Sequence, residues 1–149
     1  MIVSLKTKHF DAMTSTQLGN LTTEQIAAIE TRDMKSLGSQ AFALLNTDQA
    51  PVLTTAQIKA LTTDQMYMIS SDNFANFTTD QVGAVETKDF RGFLSASLTA
   101  LSTAQIANIN TKIINALTSQ QVLGITSDIT GLTTAQVKAL RTDHFTYMS

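Results

Sequence analysis

The stretch "LTTEQIAAIETRDMKSL" (Leu21–Leu37) decides the fold of this chain, because it begins a helix, ends it after two turns and begins another. Thr22 and Gln25 have the T-x-x-Q spacing of a capping box, and Leu21 and Ile26 have the spacing of a hydrophobic staple. The start signal returns eight residues after Leu21. The stretch therefore predicts a short capped helix that is repeated with a period of eight residues.

The eight-residue unit, or octad, continues along the chain. Counted from Leu5, position 1 is apolar, position 3 is Ser or Thr, position 5 is most often Gln, and position 6 is apolar. One octad is a residue short and fits this pattern if the missing residue precedes Ile129. A short period sustained over the chain predicts a single repeat array of about 18 octads, residues 1–149, rather than a globule around one central core.

Two octads, residues 45–52 and 125–131, are irregular. The first contains Pro51, where a helix interior would need an amide, and Ala50, the weakest apolar residue at position 6. The second has only seven residues. We interpret both as tolerated defects, although a bend that shapes a binding surface is the alternative.

A longer period is superimposed on the octad. The segment from Leu21 is echoed by "FTTDQVGAVETKDFRG" from Phe77 and more faintly by "LTTAQVKALRTDHFTY" from Leu132. These intervals are seven octads long, less one residue in the second. Duplication of a seven-octad block and a structural turn of that length explain the echo equally well.

The spacing favours an all-α solenoid, or superhelix, of helices about two turns long. In one continuous helix the apolar stripe would rotate by about 80° per octad. Such short helices are unstable alone and must pack against their neighbours. The alternative is a β-solenoid, favoured by the many Thr and β-branched residues, but six Gly and one Pro are few for its turns.

Two positions of the octad are candidates for the residue that caps each helix. Position 2 completes the capping box with Gln at position 5, yet in some octads it is Lys6, Glu30, Gly38, Leu94 or Arg141. Position 3 always carries a hydroxyl group, which suggests that it is the cap instead. The sequence leaves both alternatives open.

The composition excludes several classes of protein. A net charge of −2 gives no overall basic surplus for nucleic acid or an anionic membrane, and the absence of Cys excludes disulfides and thiolate sites. No apolar run approaches the roughly 18 residues of a membrane span, and no secretory signal is present in the chain. We predict no cofactor, and a location at the cell surface or outside the cell if the chain belongs to a larger exported protein, otherwise in the cytoplasm.

The two histidines, His9 and His144, are candidates for a metal site or a general base, and both occupy position 5. Neither has a partner cluster at ligand spacing, so we interpret them as polar variants of that position. The sequence predicts no catalytic, cofactor-binding or metal-binding residue.

Two acidic pairs, Glu30 with Asp33 and Glu86 with Asp89, resemble the paired carboxylates of an acid–base site. In the first turn of a helix, acidic side chains satisfy orphan amides and interact favourably with the macrodipole. This accounts for both pairs without catalysis, and an enzyme is the least expected class.

The phrase L-[ST]-T-x-Q-[IV]-x-A-L, at Leu53–Leu61 and Leu132–Leu140, resembles the octapeptide repeats of large bacterial surface or secreted proteins that carry haem-utilisation or adhesion labels. The resemblance covers nearly the whole chain. It implies a bacterial source and an extended module, and it supplies no haem ligand.

The segment "LTTEQIAAIETRD" also resembles the first helix of the repeat in transcription-activator-like DNA-binding effectors. In that family the residues after the helix read a base, which would place Arg32 and Asp33 near the reading loop. The family's repeat period, glycine-containing loop and basic surplus are absent here, so shared capping chemistry explains the likeness.

These observations predict a non-enzymatic structural, protein-interaction or adhesion module. Because the pattern runs from Ile2 to Met148 without a polar cap, we expect head-to-tail association or continuation into a longer array. The alternative is a nucleic-acid-binding superhelix.

Overall fold

A computed structural model describes residues 6–126 and 129–146, and this part of the chain is entirely helical, without strands. The all-α prediction is confirmed, and the β-solenoid alternative is wrong. The predicted fits of Leu5, Ile2 and Met148 to the octad lie outside the described residues. The α-helices are Thr7–Asp11, Ser15–Gly19, Thr23–Ala27, Thr31–Met34, Thr55–Ala60, Thr63–Tyr67, Ser71–Ala75, Thr79–Ala84, Thr87–Phe90, Ser95–Thr99, Thr103–Ala107, Thr111–Ala116, Ser119–Thr126, Thr134–Ala139 and Thr142–Phe145.

Position 2 of the octad is the N-cap. The Thr54 hydroxyl oxygen accepts a hydrogen bond from the backbone N–H of Gln57 at 3.1 Å, and the backbone N–H of Thr54 donates to Gln57 Oε1 at 2.8 Å. The same reciprocal pair joins Thr22 and Gln25. The capping-box interpretation is therefore correct, and the suggestion that position 3 caps instead is wrong, because position 3 is already the first helical residue.

The octads wind into a superhelix whose turn takes about 28 residues, or three and a half octads. Gln57 donates to the carbonyls of Ile26 and Ile29, which lie 31 and 28 residues earlier. Position 3 contacts the following turn at an offset of 26 residues, as in the bond between Ser71 and Ser97. The seven-octad echo thus corresponds to two superhelical turns and not to one turn of that length.

The core of the superhelix is formed mainly by positions 1 and 6. Both are buried throughout the interior turns, as expected for the hydrophobic staple. An aromatic cluster lies in the middle of the array, where the rings of Phe74 and Phe93 stack with centroids 4.1 Å apart. Phe77 and Phe90 meet Phe74 edge-on. Burial of these side chains stabilises helices that are too short to form alone.

Each irregular octad contains a short 3₁₀ helix. In octad 45–52 a 3₁₀ helix spans Ala50–Val52, because Pro51 has no amide for an α-helical bond. In octad 125–131 a 3₁₀ helix spans Ile129–Gly131, and residues 127–128 lie outside the described part. A third 3₁₀ helix, Ser39–Leu44, occupies an octad that the sequence did not single out.

Candidate functional site

All the buried polar side chains of the described residues occupy position 5 of the octad, so they form one column that winds along the superhelix. This column is the candidate site, since buried polar groups need specific partners. Its members are Asp33, Gln49, Gln57, Gln65, Asn73, Gln81, Asp89, Ser97, Gln105, Gln121, Gln136 and His144.

Gln57 shows how the column works. Its Oε1 accepts from the Thr54 amide, so the carboxamide oxygen closes the capping box of its own octad. Its Nε2 donates to Ile26 O at 2.9 Å and to Ile29 O at 2.8 Å in the preceding turn. From Gln49 onward, each Gln at position 5 therefore caps its own octad and binds the preceding turn with the same side chain, and we call this set of bonds the glutamine ladder.

The glutamine ladder survives the seven-residue octad. Gln121 donates to carbonyls 31 and 28 residues earlier, whereas Gln136 donates to Ile106 O and Ile109 O, which are 30 and 27 residues earlier. The offset is shorter by the one missing residue, and the acceptors are still the carbonyls at positions 6 and 1 of the octad. The short octad is therefore accommodated without loss of register, in agreement with its interpretation as a tolerated defect.

His144 takes the place of a glutamine. Its Nδ1 accepts from the Arg141 amide at 3.1 Å, and its Nε2 lies 3.0 Å from Leu117 O in the preceding turn. With Nδ1 as the acceptor, the ring is neutral and Nε2–H is the donor. His9 makes the same bond to the Lys6 amide at 2.9 Å, but its side chain is exposed in the first turn. The two histidines do not converge, and each serves as a variant of position 5.

Asp33 and Asp89 are buried at position 5, where they accept hydrogen bonds from hydroxyls one turn earlier. The distance is 2.7 Å from Thr7 Oγ1 to Asp33 and 2.6 Å from Thr63 Oγ1 to Asp89. These carboxylates bind hydroxyls across turns and not the orphan amides expected from the sequence. Burial raises the pKa of Asp89, and its Oδ2 is buried without a hydrogen-bond partner among the described residues.

Glu30 and Glu86 are exposed at position 2 and form ion pairs with neighbours on the surface. Glu30 lies 3.1 Å from Arg32, and Glu86 lies 2.8 Å from Lys88. The hydrogen bond from Lys88 holds the pKa of Glu86 below its usual value. Each acidic pair thus consists of one exposed and one buried carboxylate.

The described residues contain no group of three or more side chains suited to hold a metal ion. They also contain no helix that is long and apolar enough to cross a membrane. The contacts that the candidate site does show are hydrogen bonds between successive turns.

Sequence reasoning found the capping box as one of two alternatives for the cap but missed the bonds between turns. The available signal was the glutamine itself, since a polar residue at position 5 directly precedes the buried apolar residue at position 6 and, once buried, needs hydrogen-bond partners. The carbonyl acceptors carry no side-chain signature, so their distance along the chain could not be read from the sequence.

The comparisons agree with the repeat. No curated protein and no solved structure matches the chain. The family described as the ALTTAQ repeat matches residues 26–63 and 82–127, which together make up more than half of the chain. The chain therefore belongs to the ALTTAQ repeat family.

Proposed function

We propose that the chain is a non-enzymatic structural module that spaces or joins proteins, as in an adhesion or surface assembly, and that it stacks end to end on further copies of itself. The observation that carries the proposal is the glutamine ladder. Each turn needs carbonyls from the turn before it, so the ladder has a donor side and an acceptor side. An array of this kind extends by adding turns.

The first turn of the described array presents the donor side. Gln17 and Gln25 close their own capping boxes, but their Nε2 groups make no hydrogen bond to the described residues. A cavity of about 560 Å³ opens beside Gln17 and is lined in part by Ala12, Met13 and Leu21. This end thus combines amide donors with an apolar recess.

The last turn presents the acceptor side. The Val137 and Leu140 carbonyls occupy the octad positions that bind glutamine in the interior turns. Val137 and Phe145, at position 6, are 42% and 49% exposed, whereas Phe74 at the same position is 0% exposed. Apolar groups and carbonyl acceptors on this end complement the recess and donors on the other, so a second copy can continue the superhelix.

Sedimentation velocity over a range of protein concentrations tests the stacking. We expect the average mass to rise with concentration, and Val137→Glu to weaken association about tenfold or more, because it places a charge in an apolar contact. Leu94→Glu is the matched control, since Leu94 is 63% exposed on the side of the array. A wild-type chain that stays monomeric at high concentration contradicts the proposal, as does an equal effect of both variants.

Nucleic-acid binding is the competing function. It predicts that a random duplex binds at low salt and dissociates steeply as salt rises, because phosphate contacts release counterions. Absence of binding to the duplex at low salt removes this alternative.

A further inference from the structure

A groove of about 290 Å³ lies between two turns in the middle of the array. Tyr67 and Leu94 line it and are 58% and 63% exposed, so it can be reached from the surface. Ile69, Ser71 and Ser97 also line it. We call it the Ser97 groove.

The two exposed apolar side chains of the groove are not required by the octad. Tyr67 is at position 7 and Leu94 at position 2, where the regular octad from Leu53 carries the exposed polar residues Lys59 and Thr54. Exposed apolar side chains that cluster, rather than lie singly, are typical of an interaction surface. The superhelix brings these two together from successive turns.

The Ser97 groove lies where the glutamine ladder has no glutamine. The Ser97 hydroxyl lies 2.9 Å from Ser71 Oγ in the preceding turn, and its octad has no side-chain cap. In the next octad, Gln105 Oε1 accepts from the Ser102 N–H at 2.7 Å, and Gln105 Nε2 donates to Phe77 O at 2.6 Å. The shorter Ser97 side chain makes neither of these bonds.

Two backbone groups at the groove therefore have none of the partners that a glutamine supplies. They are the N–H of Leu94, at position 2, and the carbonyl of Ile69, at position 1 of the preceding turn. Neither group makes a hydrogen bond to another described residue. In the regular octads one primary carboxamide binds both groups, as Gln57 does with the Thr54 N–H and the Ile29 carbonyl.

We propose that the Ser97 groove binds a glutamine side chain of a partner protein. The carboxamide oxygen accepts from the Leu94 N–H, and its nitrogen donates to the Ile69 carbonyl, as the glutamines of the chain do elsewhere. Apolar residues beside that glutamine contact the Tyr67 ring and the Leu94 side chain. The groove volume is near the lower end of about 300 Å³ for ligand pockets, which suits one side chain better than a larger molecule.

The two backbone groups select a carboxamide over other side chains of similar length. A glutamate has no hydrogen to donate to the Ile69 carbonyl, and a methionine leaves both backbone groups without partners. The residues that line the groove include no Asp, Glu, Lys or Arg, so no charge in the lining favours an ionic side chain.

The inference deepens the proposed function, on which it rests, because it names the contact by which the module joins another protein. It uses the side of the array, whereas stacking uses the ends. Val137→Glu should therefore weaken stacking and leave peptide binding within about twofold of wild type. Leu94→Glu should weaken peptide binding about tenfold and leave stacking unchanged, because it places a charge in the apolar part of the groove. The failure of either proposal is thus seen separately.

An NMR titration of the isotopically labelled chain tests the site. The probe is the peptide Ac-Leu-Gln-Leu-N-methylamide, whose only primary carboxamide is the glutamine side chain. We expect it to shift the backbone amide signals of Leu94 and Ser71, with a dissociation constant on the order of 1 mM. Matched peptides with Glu or Met in place of Gln should bind about tenfold more weakly or worse, because they lack a hydrogen-bonding partner for the Ile69 carbonyl.

Ser97→Gln supplies the carboxamide from within the chain. It should abolish the response to the glutamine peptide and raise the midpoint of urea denaturation by about 0.5 M, because it adds bonds to the preceding turn. Ala96→Gln, at an exposed position of the same helix, is the matched control and should change neither quantity. Circular dichroism checks that each variant is folded.

Three results overturn the proposal. The first is equal binding of the three peptides, since the groove would then recognise apolar residues alone, or no shift of these amides by any peptide at about 10 mM. The second is a folded Ser97→Gln chain that binds the glutamine peptide as the wild type does. The third is a shift of the same amides by methyl glucoside without a response to the glutamine peptide, which would favour a carbohydrate.

Discussion

The octads Leu53–Ala60 and Leu37–Leu44 differ in helix type although both bury their apolar positions. The first has Thr54 at position 2 and Gln57 at position 5, and it forms an α-helix. The second has Gly and Ala at these positions and forms a 3₁₀ helix without a side-chain cap. Positions 1 and 6 therefore place an octad in the superhelix, whereas the residues at positions 2 and 5 supply its side-chain cap and its bonds to the preceding turn.

The largest loss of stability is expected in the octad Leu37–Leu44, which is held by apolar packing and has no glutamine at position 5. Phe42 is 1% exposed in the octad Leu37–Leu44. Phe42→Ala should lower the free energy of unfolding by about 3–5 kcal/mol, because it removes transfer energy and leaves a cavity. Urea denaturation measures the loss. Leu44→Ala, at a 53% exposed site in the same octad, is the control and should cost less than about 0.5 kcal/mol; equal losses would show that packing does not hold this octad.

The next effect isolates the glutamine ladder. Gln57→Ala should cost about 2–4 kcal/mol in the same assay, because it removes one half of a capping box and the side-chain bonds to two carbonyls of the preceding turn. Gln17→Ala is the matched control in the first turn, where only the cap is lost, and it should cost about 1 kcal/mol. Similar losses in the two variants would mean that the bonds between turns contribute little.

A smaller effect, of opposite sign, is expected at Asp89. Asp89→Asn should raise the free energy of unfolding at pH 7 by about 1–2 kcal/mol, because it removes a buried, partly unsatisfied charge. Asn73, at the same octad position, donates to Leu45 O one turn earlier, so an Asn side chain has a suitable acceptor there. Urea denaturation again gives the difference.

The pH dependence provides the check. Burial raises the pKa of Asp89 in the folded state above the ordinary value of 3.8, which applies to the unfolded state. Between the unfolded-state pKa and the folded-state pKa, the folded state therefore binds more protons than the unfolded state. The contribution of Asp89 to the free energy of unfolding falls as pH rises from the unfolded-state pKa to the folded-state pKa. At neutral pH the full cost of burying the charged carboxylate remains. The advantage of Asp89→Asn should therefore shrink on acidification. Asp64→Asn makes the same substitution at an exposed site and is the control.

The smallest change in stability is expected when a capping box is introduced into the octad Leu37–Leu44, which lacks one. Gly38→Thr with Ala41→Gln gives the octad Leu37–Leu44 the residues of its regular neighbours. An added Cβ at Gly38 meets no atom within 4 Å, so the cap fits. We expect a gain of about 0.5–1 kcal/mol and a small rise in helical circular dichroism. A loss of stability would show that the 3₁₀ geometry is required by the neighbouring turns.

The period, the all-α class and the capping box could be predicted because their signals are local. Thr22, Gln25 and the staple residues on either side of them, Leu21 and Ile26, lie within one octad. The choice between positions 2 and 3 stayed open because both carry hydroxyl groups in most octads. The 28-residue turn could not be derived, since it depends on backbone carbonyls and on how helices pack. The roles of Asp33 and Asp89 followed from that turn and were missed for the same reason.

The half-integral turn has a mechanical consequence. Gln57 binds carbonyls from two different octads of the preceding turn, one on each side of their junction. Successive turns are thus offset by half an octad, so the junctions between octads in one turn do not align with those in the next. A pulling force cannot separate two neighbouring octads of one turn without breaking ladder bonds on both sides of their junction. The load is therefore shared between these octads.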